Sequence, residues 1–440
     1  LTPLKGLHIL YRAVATGASH DSGERFPPPR CHPETRTKML QELRDWSSQM
    51  DASSRVLWLH GPAGAGKSAI VQTLSQQLAD KCLVASFFFK RGDSSRGNAW
   101  GLFPTISYQL ATVLPEFQSA VLQQVEKDPS VVNKSLAIQL YDLVIKPFKT
   151  INYRGSPFIL IIDGLDECNG QEIQQEILRS LGNSLHDHSP PLRILIASRP
   201  EPHIHKIFEG PCFSGLYCTT NVEQSFEDVR RYLRDQFARI QEHHDAMAMV
   251  PSPWPTAEVL ERLVDKSSGY FIYASTIIKY VEDEDFRPTE QLEHIEQPDS
   301  KQADSPFATL DQLYTQILSE VPDRPRLLNI LCLIIHPKSR QMTCHRIQQL
   351  LRLGPGGVHL ALRRLQAVLA LPANNRGEIK VYHASFRDFL MDEARSGIFC
   401  VDDLCSHLQL AQCILDAFSY TSFLKNPDWL IYREDKHPFW

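Results

Sequence analysis

One run of nine residues, His60-Gly-Pro-Ala-Gly-Ala-Gly-Lys-Ser68, restricts the possible folds of this chain more than any other. Gly61 to Ser68 fit the pattern G-x-x-x-x-G-K-[ST] without a mismatch. Arg55-Val-Leu-Trp-Leu-His60 in front of it reads as a buried strand. Ser68 to Leu78 behind it spaces apolar residues at helical intervals. A strand, a glycine-rich turn and a helix in that order make a phosphate cradle. Gly61, Gly64 and Gly66 let the backbone curl until successive N–H groups converge, and the helix adds its positive N-terminal end. Lys67 is expected to reach the β- and γ-phosphates of a nucleotide, and Ser68 to ligate Mg²⁺. The whole surface of Gly61, Pro62, Ala63, Gly64, Ala65, Gly66, Lys67, Ser68 and Ala69 is the expected nucleotide contact.

The remaining composition narrows the class by exclusion. At 440 residues the chain has room for about three domains. With 42% hydrophobic and 22% charged residues it has the make-up of a globular protein. A net charge of −5 offers no general attraction for nucleic acid or anionic membrane. No apolar run approaches the roughly 18–20 residues that span a bilayer. The ten cysteines contain no C-x-x-C pair, which suits reduced thiols in a cytoplasmic protein and neither a disulfide framework nor a zinc site. The chain begins at Leu1 and stops at Trp440 in a polar stretch. It reads as a fragment of something longer.

Along the chain, Leu1 to Ala18 has weak helical spacing, and a Gly/Ser/Pro stretch ending Phe26-Pro-Pro-Pro29 reads as a linker. Residues 1–30 are therefore expected to be an N-terminal helix and linker. Short apolar runs at Leu83–Phe89, Phe158–Ile162 and Arg193–Ala197 alternate with helical patterns, as in a parallel sheet covered on both faces. This gives an α/β nucleotide-binding domain over 31–209. From 210 to 305 the pattern is helical, with a polar break at Glu296–Pro306. Residues 306–395 read as connecting helices followed by helix Thr343–Leu353, a Gly-Pro-Gly-Gly turn, helix Val358–Val368 and two short strands around Asn374-Asn-Arg-Gly377. Two helices and a hairpin in that order fit a winged helix. Residues 396–440 would open a further helical region.

A second carboxylate-bearing strand completes the expected site. Phe158 to Asp163 is an apolar run ending in an acid, followed by Gly164-Leu-Asp-Glu167. In a phosphate-loop enzyme an acid at a strand end holds Mg²⁺ beside the loop serine, and Asp163 takes that place. Asp166 or Glu167 is then available to orient or deprotonate an attacking water. Arg199, closing Ile-Ala-Ser-Arg-Pro200, is a candidate to read the γ-phosphate.

Taken with Arg30-Cys-His-Pro-Glu-Thr-Arg36, Asp163-Gly-Leu-Asp-Glu-Cys168 and Ala197-Ser-Arg-Pro200, the phosphate loop makes the chain resemble NACHT-type members of the signal-transducing (STAND) phosphate-loop NTPases. The likeness is to fungal intracellular receptors related to heterokaryon-incompatibility proteins, the nephrocystin-like NACHT proteins. Ser268–Ala274, Leu310–Tyr314 and His383–Leu390 support it. The resemblance implies an ATP/ADP-operated switch with slow hydrolysis, self-assembly on activation, and protein partners engaged through flanking domains. It places Thr35 and Arg36 near the adenine and sends His383 of the winged helix to the β-phosphate of ADP. Receptors of this kind often set a proline against the base, and Ser267-Ser-Gly-Tyr-Phe271 has none, so the choice of ATP over GTP is open. Two other readings stay in view: a kinase or motor whose turnover is the output, and a nucleic-acid regulator using the arginines between Arg340 and Arg376.

Overall fold

The computed structural model describes residues 4–402 apart from 50–53, 80, 152–154, 189, 297–307, 336–341, 373 and 375. Five strands form one parallel sheet: β1 (Val56–His60), β2 (Leu83–Phe88), β3 (Phe158–Asp163), β4 (Leu192–Ser198) and β5 (Tyr217–Asn221), in the spatial order β2-β3-β4-β1-β5. Alternate residues of the strands face opposite ways. Val56 and Trp58 of β1 join Phe87, Ile162 and Ile196 in one apolar layer, whereas Leu57 and Leu59 join Phe88, Ile161 and Leu195 in the other. Helices Thr37–Ser48 and Lys67–Leu78 close the second layer through Leu40, Leu43, Ile70 and Leu74. Helices Leu102–Val113, Pro115–Lys127 and Gln171–His188 close the first. The expected α/β architecture, a parallel sheet sandwiched by helices, is the observed fold.

Register, more than strand identity, sets up the site. Phe88 pairs with Asp163, Asp163 with Ala197, and Ala197 with Leu59. The carboxyl ends of β2, β3, β4 and β1 therefore lie in one row, the edge at which open α/β sheets receive ligands.

Two differences from the sequence reading concern the ends of this domain. The fifth strand, Tyr217–Asn221, lies past residue 209 in the stretch read as helical. Its burial alternates only weakly at the sheet edge, which hides it from a periodicity search. The stretch after Ala18 that reads as a linker is instead tied to the domain: the His20 N–H donates to Ser86 Oγ of β2 at 2.9 Å and the Arg25 guanidinium lies over Phe88. The helical stretch before it is buried in the first apolar layer through Leu10, Ala15 and Ala18.

The chain divides into two compact units, 1–239 with 252–274, and 240–251 with 275–440. In the second unit, helices Ala308–Ser319 and Ala384–Leu390 share a core in which the Tyr314 ring meets Phe386 edge-on at 5.0 Å and Phe389 at 5.4 Å. The Tyr314 and Ser385 hydroxyls bond at 3.0 Å. Helices Cys344–Leu350 and Gly357–Leu362 precede an antiparallel pair, Leu369–Ala370 with Lys380–Val381. Thr343 bridges to Glu378 beside that pair. Residues 297–306 of the polar break and 403–440 lie outside the described residues. None of the described cysteines is in a disulfide, and no described helix is long and apolar enough to cross a membrane.

Candidate functional site

Strand β1 delivers the glycine-rich loop, and helix Lys67–Leu78 leaves it. Gly64 and Gly66 take φ of +73° and +93°, conformations that a Cβ makes costly. A Cβ on Gly64 would also stand 2.3 Å from the Ile272 side chain. Around Gly66 there is open space on that side, and Gly66 is the residue that caps the following helix. The Lys67 ammonium lies back across the loop, donating to the carbonyls of Gly61 (2.7 Å) and Pro62 (2.9 Å). Burial pushes its pKa below the ordinary lysine value, opposed by the charge of Asp166. The loop holds a dehydrated cation among carbonyls that supply only partial negative charge.

Asp163 ends β3, and Gly164 at φ +70° turns the chain into the short helical turn Leu165–Glu167. Ser68 stands beside the Asp163 carboxylate and lowers its pKa, and Asp163 Oδ1 is buried with no hydrogen-bond partner. The intervening strand β4 thus separates two groups that the sequence places about a hundred residues apart, and their side chains still meet. Burial pushes Asp163 up to about 6, with Ser68, Arg25 and Lys67 pulling it down and Asp166 raising it. A carboxyl raised in the folded state stabilises the fold fully below the unfolded value near 4, and that contribution is lost as pH rises through 6. The loss amounts to about 3 kcal/mol. In metal-free buffer, Asp163→Asn should therefore gain about that much over the parent at pH 7 and almost nothing at pH 4. Denaturant titrations at the two pH values check it, and an equal offset at both would refute it.

The other two acids have separate surroundings. Asp166 is buried and bound to Arg199 twice, by the Arg199 backbone N–H at 3.0 Å and by its guanidinium Nε at 3.2 Å. Glu167 accepts from the Arg91 backbone N–H at 3.1 Å, while the Arg91 guanidinium donates to the Asp166 carbonyl at 3.0 Å. Burial, and then the nearby Asp166 charge, push Glu167 well above the usual carboxylate range. Gln174 continues the network, donating to the carbonyls of Asp166 (3.3 Å) and Cys168 (2.6 Å) and meeting the His203 ring at 2.7 Å.

Thr35 and Arg36 are both buried. The Thr35 hydroxyl donates to the His32 carbonyl at 2.7 Å. The Arg36 guanidinium donates to the carbonyls of Glu223 (2.8 Å) and Ala65 (3.3 Å), and its backbone N–H donates to Asp228 at 3.1 Å. Arg36 thereby ties the phosphate loop to the chain after β5. Sequence reading missed Arg91, Gln174, Ile272 and above all Arg25, whose guanidinium lies 3.4 Å over the Phe88 ring. Nothing in their spacing marks them, since each reaches the site through tertiary contacts.

In the second unit His383 precedes helix Ala384–Leu390. Its surroundings and the nearby Lys279 charge push its pKa down to about 4, so the ring is neutral at pH 7. Among the described residues no cluster of three or more His, Cys, Asp or Glu has metal-site geometry. A magnesium ion held through one serine, one aspartate and phosphate oxygens needs no such cluster.

The family model described as nephrocystin 3, N-terminal, matches residues 34–199, the span from the Arg36 turn to Arg199. No curated protein matches the chain. Among solved structures, the chain is similar to the Aeropyrum pernix ORC1 protein in complex with DNA at 14% identity, covering 85% of this chain and 94% of that one with a TM-score of 0.38. It is similar to Cdc6p from Pyrobaculum aerophilum at 11% identity, over 91% and 99% of the two chains with a TM-score of 0.31. The FIGL-1 AAA domain in complex with ADP matches at 16% identity over 57% and 70%, with a TM-score of 0.31.

Proposed function

We propose that this chain is a nucleotide-operated switch of an intracellular, NLR-like signalling receptor of the NACHT type. It binds ATP or ADP with Mg²⁺ at the glycine-rich loop, hydrolyses ATP slowly, and couples the bound nucleotide to opening and assembly. The observation that carries the reading is an Asp163 Oδ1 that is buried and unpartnered at the strand end beside Ser68. An orphaned carboxylate oxygen beside a hydroxyl is costly to bury unless a cation completes it. Lys67, desolvated and held on two loop carbonyls, is a cation at the mouth of the cradle. The residues present therefore fit a phosphate chain and a magnesium ion. When bound, the ion neutralises phosphate charge and polarises the terminal phosphoryl group.

The protein's own residues divide the remaining work. Loop backbone N–H groups and Lys67 bind phosphate, and Ser68 and Asp163 hold the metal. Asp166 is bound to Arg199, so Glu167 is the acid free to take a proton from water, and Arg199 is positioned by Asp166 to respond to the γ-phosphate. Isothermal titration of the purified chain with ADP and ATP tests the reading. Absence of binding, with no nucleotide carried through purification, would end it.

We read residues 306–395 as connecting helices and the winged helix of the switch, and propose His383 as a ligand of the ADP β-phosphate, on the family resemblance. A neutral imidazole gives a hydrogen bond worth about 0.5–1.5 kcal/mol. Driving a two-state equilibrium from 1:99 to 99:1 takes about 5.5 kcal/mol, so other contacts must supply most of the switch. His383→Ala should weaken ADP by roughly three- to tenfold and ATP less. Equal losses for the two nucleotides would remove His383 from the latch. In the rival nucleic-acid reading Arg364 would face phosphate. It instead donates to the Glu320 carbonyl at 3.0 Å, which favours a structural role.

A further inference from the structure

The segment before the nucleotide-binding core is an arm laid against the site. Its grip begins at Ala15, whose N–H donates to Thr105 Oγ1 at 2.9 Å. His20 donates its N–H to Ser86 Oγ of β2 at 2.9 Å, and its carbonyl accepts from Gln72 of the loop helix at 2.8 Å. Further on, the Cys31 N–H donates to Thr73 Oγ1 of that same helix at 3.0 Å. Between these anchors the chain turns through Gly23–Arg25, capped by Ser22, and Thr16 bonds Glu24 at 2.9 Å. The arm thus holds β2 and the loop helix together, and its turn ends on Arg25.

Arg25 is set where the sheet register matters most. Its guanidinium stacks 3.4 Å from the centroid of Phe88, the residue paired with Asp163 across β2 and β3. Burial lowers the Arg25 pKa to about 10, opposed by the Asp163 charge, and the Arg25 charge in turn opposes the burial that raises Asp163. Lys67 is meanwhile tied to the Gly61 and Pro62 carbonyls. A guanidinium on an aromatic face keeps its charge with little hydration, so water screens its field at the buried carboxylate less than it would at the surface.

We propose that Arg25, held by this arm, is the internal counter-charge of Asp163 where the divalent cation would sit, so that arm docking and Mg²⁺ binding oppose each other. The inference rests on the nucleotide-switch reading and deepens it. Arg25 is a positioning residue that acts through Asp163. In the metal-free protein it balances the acid and keeps the arm down. A magnesium ion entering beside Ser68 and Asp163 meets a like charge, and the arm loosens as the ion is accepted. Whatever precedes the arm in the chain is then coupled to the metal–nucleotide state of the site.

ADP binding to the full chain, measured by titration calorimetry in EDTA and across a Mg²⁺ series, tests this in the parent, Arg25→Gln and Arg25→Lys. An opposite charge close to a carboxylate shifts its ion equilibria by roughly tenfold or more. Arg25→Gln should therefore lower the Mg²⁺ concentration for half-maximal enhancement of binding by about tenfold, with affinity in EDTA unchanged and Arg25→Lys close to the parent. An unchanged or raised Mg²⁺ requirement overturns the proposal. So does weaker ADP binding by Arg25→Gln in EDTA, which would make Arg25 a direct phosphate ligand. Hydrogen exchange of the unmutated chain provides a readout free of folding effects. Amides of residues 16–25 should lose protection with ADP plus Mg²⁺ relative to ADP plus EDTA, and equal protection overturns the proposal. Failure of the parent to bind ADP under any condition overturns the switch reading and this inference together. Binding with no Mg²⁺ competition at Arg25 overturns the inference alone.

Discussion

Replacing Lys67 with alanine should abolish measurable binding of both ATP and ADP, a loss of roughly a hundredfold to more than ten-thousandfold. The ammonium is desolvated and rests on two loop carbonyls, so its charge is already aimed along the cradle before any ligand arrives. Two charge-assisted hydrogen bonds to phosphate contribute about 1.5–3 kcal/mol each, which converts to that range. The fold should survive, because a buried cation with a depressed pKa is itself a cost to the nucleotide-free state. Calorimetry against both nucleotides, with circular dichroism as the folding control, reads the result. Affinity within a few-fold of the parent would mean that nucleotide does not occupy this loop.

Glu167→Gln should leave nucleotide affinity nearly intact and slow hydrolysis by about a hundred- to ten-thousandfold, the range for losing a general base. Glu167 suits that role through its surroundings. Burial and the Asp166 charge lift it to about 7, close to the pH at which a base is most effective. The base works deprotonated, so hydrolysis in the parent should climb as pH rises through about 7 and flatten above it. Single-turnover measurements on both proteins across pH separate this from a binding defect. If the glutamine variant hydrolyses ATP at the parental rate, the attacking water takes its proton elsewhere. Asp166 is the poorer candidate because its two oxygens already face Arg199.

The contrast between these acids shows where reading residues in order stops being informative. Asp163, Asp166 and Glu167 lie within five positions, and spacing alone left the second and third interchangeable. Only the packing of Arg199 from β4 and Arg91 from the chain after β2 separates them. Arg36 illustrates the same limit. Its motif marked it for the adenine, and its guanidinium is engaged by Ala65 and Glu223 carbonyls in a buried brace. The stretch from Ser19 to Pro29 reads as a linker in composition, yet His20 is bonded to Ser86 and Gln72 and Arg25 lies over Phe88, contacts that no local pattern announces.

The glycine-rich loop, its flanking strand and helix, and the strand ending in Asp163 were determined by the sequence, because each is a contiguous run whose backbone preferences and periodicity are local. The order of strands, the contact between Ser68 and Asp163, the division of labour among three neighbouring acids and the arrival of Arg25 at the sheet edge were decided by the tertiary structure alone. Those depend on which distant segments share a buried, weakly screened space, and charge–charge forces strong enough to set a pKa arise only once folding has removed the water between them.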